Sequence, residues 1–276
     1  YRQAGVTRLS VGVQSFNDEH LKAIGRVHDS AQAIAAVEEA ASAFDTFNLD
    51  LMYALPGQTS AQLDADLTQA LALLYFQGKD FPKAATWAAR YLQENGTHAD
   101  MRWLLIRAQY LADDWASAAR ELRVDVDGGL KTGVAPPLER VQLLANSYTK
   151  LGDNAGYVYT LDALLAFYPN KEYWADAIRR VEAKPGFADR LTLDALRLRQ
   201  ATGVLSAGAD YAAMAELALA AALPAEAKRI ADQGLASGAL TTGTDADRQK
   251  RVRDTAAKQV AEDQRQLPQS VKAAGA

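Results

Sequence analysis

Gln77-Gly-Lys-Asp-Phe81, Leu111-Ala-Asp-Asp-Trp115 and Leu151-Gly-Asp-Asn-Ala155 are three versions of one short pattern. Each has a small residue, then two polar residues, and in the first two an aromatic follows. Gly78 and Ala112 lie 34 positions apart, and Gly152 lies 40 further on. Alanine-rich runs come after the first two turns, Ala84-Ala-Thr-Trp-Ala-Ala89 and Ala116-Ser-Ala-Ala119. Small residues let two helices approach closely, so each pattern reads as the tight turn of a helical hairpin. Tyr75, Phe81, Tyr91, Trp103, Tyr110 and Trp115 then fill the spaces between hairpins, because an unpaired helix face has to be buried against a neighbour.

The same reading extends downstream. Leu138–Leu151 pairs with 155–168, closed by Pro169. A helix over 173–182, the Lys184-Pro-Gly turn and a helix over 191–201 follow, and then a pair over 211–222 and 225–236 with Pro224 at a helix start. Gly128-Gly129 to Pro136-Pro137 reads as a flexible connection. A polar helix over 245–264, stopped by Pro268, closes the series and leaves 266–276 as a polar tail.

A period of 34 with small residues at the helix crossing resembles a tetratricopeptide repeat. Phe167-Tyr-Pro169, Tyr173-Trp174, Lys184-Pro-Gly-Phe187 and Leu191-Thr-Leu-Asp-Ala-Leu-Arg-Leu198 resemble bacterial repeat proteins of this kind from the cell envelope. The resemblance implies an α-solenoid over 74–265, about five helical pairs, with a concave surface for a protein or peptide. Arg102 and Arg107 on the 100–112 helix, and Asn146 and Lys150 on the 138–151 helix, are its donor-rich positions. They suit an acidic peptide or a C-terminal carboxylate. The other reading of Asn146 and Lys150 is a solvated polar stripe, the usual state of a charged helix face.

The first 73 residues are built differently. Leu9, Val11 and Val13 alternate with Ser10, Gly12 and Gln14, a strand period. Asn17 caps a short helix ending at Gly25, and Ser30 caps a helix to Ala43. Phe47–Tyr53 is a second strand. Thr59 and Gln62 form a capping box for a helix that starts at Ser60 and runs unbroken through Phe76 to Gly78. Strand, helix, strand, helix predicts a parallel pair with a right-handed crossover. Asp50 falls in a strand expected to be buried, where an unpaired carboxylate is costly.

Three blocks in this segment, Val6–Phe16, Leu21–His28 and Asn48–Thr59, resemble one stretch of the radical S-adenosylmethionine enzymes. The likeness is to the group of the haem chaperones and oxygen-independent coproporphyrinogen oxidases. It implies a two-unit βα fragment of a (β/α) barrel. It also implies that Gln14, Arg26 and Asp50 match contacts to S-adenosylmethionine, Asp50 toward ribose hydroxyls and Arg26 toward the methionyl carboxylate. From the residues alone, an Asp50–Arg26 ion pair joining the two units is the other reading. That family binds a 4Fe-4S cluster through three cysteines upstream of this stretch, and this chain of 276 residues has none. Its Gly-Gly-Thr and His-Ile-Ser-type segments are also missing. We therefore expect no cofactor in this chain and no catalytic residue.

Composition narrows the rest. Residues 1–73 carry 4 Lys/Arg and 9 Asp/Glu, a net of −5, and the remainder a net of +1, so no basic patch points to nucleic acid. No apolar run reaches transmembrane length. His20, His28 and His98 are isolated, so no metal site is expected. The basic positions Arg248, Lys250, Arg251 and Arg253 alternate with acids and read as a solvated surface. The start at Tyr1, without methionine or a signal segment, reads as processed or truncated. The change of pattern near Leu73 fits two partial reading frames joined. The likeness places the first part in the cytoplasm, and the second admits the cell envelope. The expected function is a helical-repeat scaffold carrying an inactive radical S-adenosylmethionine fragment. The alternative is haem or porphyrin chemistry of which only a part is present.

Overall fold

The computed structural model describes residues 5–44, 46–238 and 244–274. The chain is mainly helical, with one small parallel sheet near its start. It divides into two compact units, 1–160 and 161–276.

In the first unit β1 (Leu9–Gln14) and β2 (Phe47–Leu51) pair in parallel, Gly12 opposite Asp50, as the strand–helix–strand order predicts. Between them come α1 (Asp18–Ala23) and α2 (Ser30–Ala43). Val13, Ala33 and Val37 form a core with Val11, Leu49 and Leu51, so α2 covers one face of the sheet. The other face, bearing Ser10, Gly12, Asn48 and Asp50, is open to solvent. A parallel sheet is normally covered on both sides. Two strands and one helical layer leave this side bare, and Asp50 is therefore exposed rather than buried. The cap of α2 is Asp29, which forms a reciprocal box with Gln32, one residue before the expected Ser30.

The helix α3 (Ser60–Gln77) begins at the Thr59/Gln62 box and runs without interruption to Gly78, as expected. Then follow α4 (Phe81–Asn95), α5 (Ala99–Leu111), α6 (Trp115–Thr132) and α7 (Leu138–Leu151), with successive helices packed on each other. Ala72, Leu73, Ala88, Tyr91, Met101 and Leu104 make the core of the first of these, and Phe16 and Ile34 pack onto it. The stretch 128–129 is not a flexible connection. It lies inside α6, and the connection is only 133–137. Gly129 is buried in that helix because the chain folds back on it. A Cβ there would meet Pro136 Cγ at 2.6 Å.

The three patterned turns are one structure, with the register of the third displaced. Lys79, Asp113 and Gly152 all adopt left-handed backbone, at φ 61°, 62° and 69°. The equivalent of Gly152 is thus Asp113 and not Ala112. A fourth copy, unrecognised in the sequence, joins the helices Gly208–Ala220 and Pro224–Ala236 of the second unit through Ala222 at φ 58°. In all four turns the residue after the left-handed one donates its N–H five positions back: Asp80 to Tyr75, Asp114 to Gln109, Asp153 to Tyr148 and Leu223 to Ala218, each at 2.9 Å. Asp80 and Asp114 also cap the following helix. A left-handed non-glycine residue costs roughly 1–2 kcal/mol, partly offset because glycine loses about 0.4–1 kcal/mol more entropy on folding. Ala222→Gly should accordingly stabilise the chain by about 0.5–1 kcal/mol. Urea titrations should show its midpoint rising, while Gly152→Ala moves the midpoint down.

The helix α8 (Asn154–Phe167) carries Tyr159, whose hydroxyl donates to Asp127 on α6 while Arg123 lies 4.4 Å from its ring centroid. Burial, and then the hydrogen bond to Asp127, push the Tyr159 hydroxyl from 10.0 up to about 12. The folded chain thus holds this proton more tightly than the unfolded one. The stabilisation is fully present below pH 10 and is lost as pH rises toward about 12. A spectrophotometric titration should show a tyrosine ionising late, and Tyr159→Phe should remove that component.

The second unit contains α9 (Lys171–Glu182), a 3₁₀ turn (Asp189–Leu191), α10 (Thr192–Ala201), α11 (Gly208–Ala220), α12 (Pro224–Ala236) and α13 (Thr244–Ala274). Met214, Ala215, Ala218, Ala227, Ile230 and Ala231 form its centre, with Leu193, Leu196 and Ala256. Arg197 reaches Glu226 at 2.5 Å and Arg199 reaches Glu182 at 2.5 Å. Within the basic stretch of α13, Arg248 pairs with Glu216. The last helix does not stop at Pro268 but continues to Ala274. Proline within a helix removes one backbone donor, a local loss that the rest of a long helix can carry.

Candidate functional site

The carboxyl ends of β1 and β2 are where an α/β fold would hold a ligand. Gln14 sits there with φ at 62° beside a register shift, and its side chain folds back over Gly12, where a Cβ would meet its Nε2 at 2.6 Å. It is 5 % exposed, and its Oε1 has no hydrogen-bond partner among the described residues. Asp50 lies opposite Gly12 on the same open face and accepts from Ser10 Oγ at 2.9 Å. Gln14 and Asp50 thus stand on adjacent strands, one buried and one exposed. Arg26 is exposed after α1, and among the described residues no ion pair joins it to Asp50. The Asp50–Arg26 pair admitted by the sequence is absent, because Asp50 stands in solvent beside a serine and gains nothing from being neutralised.

The residues that do converge are others. Asp66 on α3 is 3 % exposed and accepts from Ser15 Oγ at 2.7 Å, from Phe16 N at 2.8 Å and from Gln58 Nε2 at 3.3 Å. Ser15 Oγ in turn accepts from Asn17 N at 3.0 Å. One carboxylate therefore ties the β1–α1 loop and the Pro-Gly-Gln turn to α3. Burial pushes the Asp66 carboxyl up, against the pull of Ser15, Phe16 and the nearby His20. His20 is itself buried, and its Nδ1 has no hydrogen-bond partner among the described residues. The sequence did carry a signal for Asp66. It stands three after Leu63 and seven before Leu73, on a helical stripe otherwise made of apolar residues, where a carboxylate needs a reason.

The donor-rich positions of the helices separate in the same way. Arg102 is not available to a ligand. Its Nη1 bonds Asp125 at 2.6 Å and its Nη2 bonds Glu121 O at 2.7 Å, while Arg140 Nη1 holds the other Asp125 oxygen at 2.7 Å. That network joins α5, α6 and α7. Arg107 lies 4.7 Å from the Phe76 ring and is half-buried. Asn146 and Lys150 are exposed one turn apart on α7, with Lys150 Nζ 5.7 Å from the Trp115 ring. Among the described residues no group of three or more His, Asp or Glu is placed to hold a metal ion, and no helix is long and apolar enough to cross a membrane.

Comparison with known proteins fixes the class of the first segment. Residues 1–70 match the model of the radical SAM superfamily. Among curated proteins, the heme chaperone HemW of Haemophilus influenzae is 49% identical over 74 residues, covering 26% of this chain and 19% of that protein. HemW of Escherichia coli is 46% identical over 74 residues, 26% of this chain and 20% of that protein. The mitochondrial radical S-adenosyl methionine domain-containing protein 1 of Danio rerio is 41% identical over 69 residues, 25% and 16% respectively. The chain spans about a fifth of the length of the curated relatives it matches.

Proposed function

We propose that this chain is a binding scaffold whose tetratricopeptide-like hairpins, 74–265, present a peptide surface, and that its first 73 residues are a radical S-adenosylmethionine fragment without chemistry of its own. The observation that carries the reading is the donor pair Asn146 and Lys150, exposed on α7 within a run of packed helices. Arg107 completes the set, and Arg102 leaves it. The ligand that suits these donors is an acidic peptide or a C-terminal carboxylate. Rim-exposed contacts contribute about 0.2–1 kcal/mol each, so affinity would be modest and would weaken as salt rises. The test is an array of acidic and free-carboxylate peptides probed with the full chain and with an Asn146→Ala/Lys150→Ala variant. Equal binding by both forms, or binding that strengthens with salt, removes this surface as the site.

A second reading draws on the 41–49% identity of the first segment to proteins named for heme chaperoning or for a radical S-adenosyl methionine domain. Against it, these 276 residues supply no thiolate for a cluster. Loss of several contacts at about 1–3 kcal/mol each puts S-adenosylmethionine affinity beyond millimolar. Calorimetry that returns a micromolar constant, abolished by Asp50→Ala, would favour this reading over the scaffold. So would a stoichiometric cluster after anaerobic reconstitution.

A further inference from the structure

Asn95-Gly96 is the single Asn-Gly pair of the chain, and it stands at the end of α4. The backbone makes glycine necessary there. Gly96 has φ 79° and ψ −155°, a region essentially closed to residues with a Cβ. From it the chain turns to bring His98 to the start of α5. His98 caps that helix through Met101 N and sets its ring edge-on against buried Tyr91, centroids 5.5 Å apart. Asn95 is exposed, and its Nδ2 donates to Tyr91 O at 3.0 Å, while Gly96 N donates to Leu92 O at 3.0 Å. Both bonds belong to the last turn of a helix, the part that opens most readily. The other asparagines, Asn17, Asn48, Asn146, Asn154 and Asn170, precede residues whose side chains obstruct the approach of the following nitrogen. Glycine offers no such obstruction.

We propose that Asn95 is a site of spontaneous, one-way modification that loosens the α4–α5 turn as the chain ages. When the last turn of α4 opens, both bonds are released, and the Gly96 nitrogen gives its proton to base and attacks Asn95 Cγ. The bond from Cγ to the side-chain nitrogen breaks, and that nitrogen leaves as ammonia with a proton taken from water. A five-membered imide is left, and water then opens it. Cleavage between the ring nitrogen and Cγ yields aspartate. Cleavage between the ring nitrogen and the backbone carbonyl carbon yields isoaspartate, whose main chain runs through Cβ. Nothing is oxidised or reduced. Either product lacks the donor to Tyr91 O and places a carboxylate next to Glu94 at the negative end of the helix dipole, where it is unfavourable. Isoaspartate also adds an atom to the backbone, which displaces Gly96 N from Leu92 O. Refolding restores neither bond.

The test holds the full folded chain in mildly alkaline buffer, samples it over weeks and maps its peptides by mass spectrometry, with isoaspartate distinguished by fragmentation. Conversion at Asn95 should be first order, should quicken with pH and should run roughly tenfold faster than at any other asparagine. Hydrogen exchange on the aged chain should show the Gly96 amide about tenfold less protected, the effect of one lost hydrogen bond. Asn95→Gln would have to close a larger, slower ring, so it should stay unconverted and keep its protection. Asn95→Asp should reproduce part of the loss without ageing. The proposal fails if Asn95 in the folded chain converts no faster than the other asparagines. It fails equally if the converted chain protects Gly96 as well as the fresh one does.

Discussion

Asp66→Ala should cost about 2–4 kcal/mol of stability, the largest effect of any single polar substitution in the first unit. The estimate rests on three donors. Ser15 Oγ, Phe16 N and Gln58 Nε2 all point at this one carboxylate, and a buried donor left unpaired costs about 1–3 kcal/mol. The three losses are not additive, because the β1–α1 loop can relax toward solvent once it is released. Asp66→Asn keeps an acceptor and should cost less than half as much. Since burial holds the Asp66 carboxyl above its ordinary range, its stabilisation is fullest at acidic pH and declines as pH rises through the raised value. The Asp-to-Asn difference should therefore shrink toward neutral pH. Urea titrations of both variants at two pH values check this. Equal losses for Ala and Asn would show that the three bonds do not fix the loop.

The second large effect is steric. Gly156 on α8 lies against the buried ring of Tyr148 on α7, and an added Cβ would sit 2.4 Å from the ring's Cδ1. No real Cβ tolerates that approach, and Tyr148 is 7 % exposed, so the ring has little room to withdraw. Gly156→Ala gains helix propensity of roughly 1 kcal/mol, while overpacking costs about 1–3 kcal/mol. We expect a net loss, and a larger one for Gly156→Leu. Pairing Gly156→Ala with Tyr148→Leu should recover part of it, and a double-mutant cycle by urea denaturation measures the coupling. An additive cycle would mean that the helices simply slide apart.

What the sequence revealed follows range of interaction. Period-two alternation placed β1 at Leu9–Gln14, and the Thr59/Gln62 pair placed the start of α3, because both signals lie within four residues of the structure they specify. The hairpin turns were legible for the same reason, although only backbone angles show that Gly152 corresponds to Asp113. Long-range facts were not legible. Asp50 was expected in a buried strand, and it is exposed because, among the described residues, no helix covers the face of the sheet opposite α2. Arg102 looked like a free donor because Asp125 and Arg140, its network, lie 23 and 38 positions downstream. Gly128-Gly129 suggested a linker, and a helix absorbs them because Pro136 packs onto Gly129. The repeat likeness of 74–265 remains a reading of helix pairs and spacing, carried forward in the proposed function.

The unbroken α3 has a consequence for how the first unit melts. One end of this helix holds Asp66 and the anchored β1–α1 loop, and the other contributes Ala72 and Leu73 to the core shared with α4 and α5. Likeness to the radical SAM model ends at residue 70, inside the helix and not at a joint. Opening either neighbour strips one side of the same rod, and a helix bared on one side is marginal in water. The end of that match is thus not a boundary of cooperativity. Amide protons of α3 on both sides of residue 70 should share one opening free energy in native-state hydrogen exchange. Cutting the chain there would yield two fragments, neither holding a complete α3.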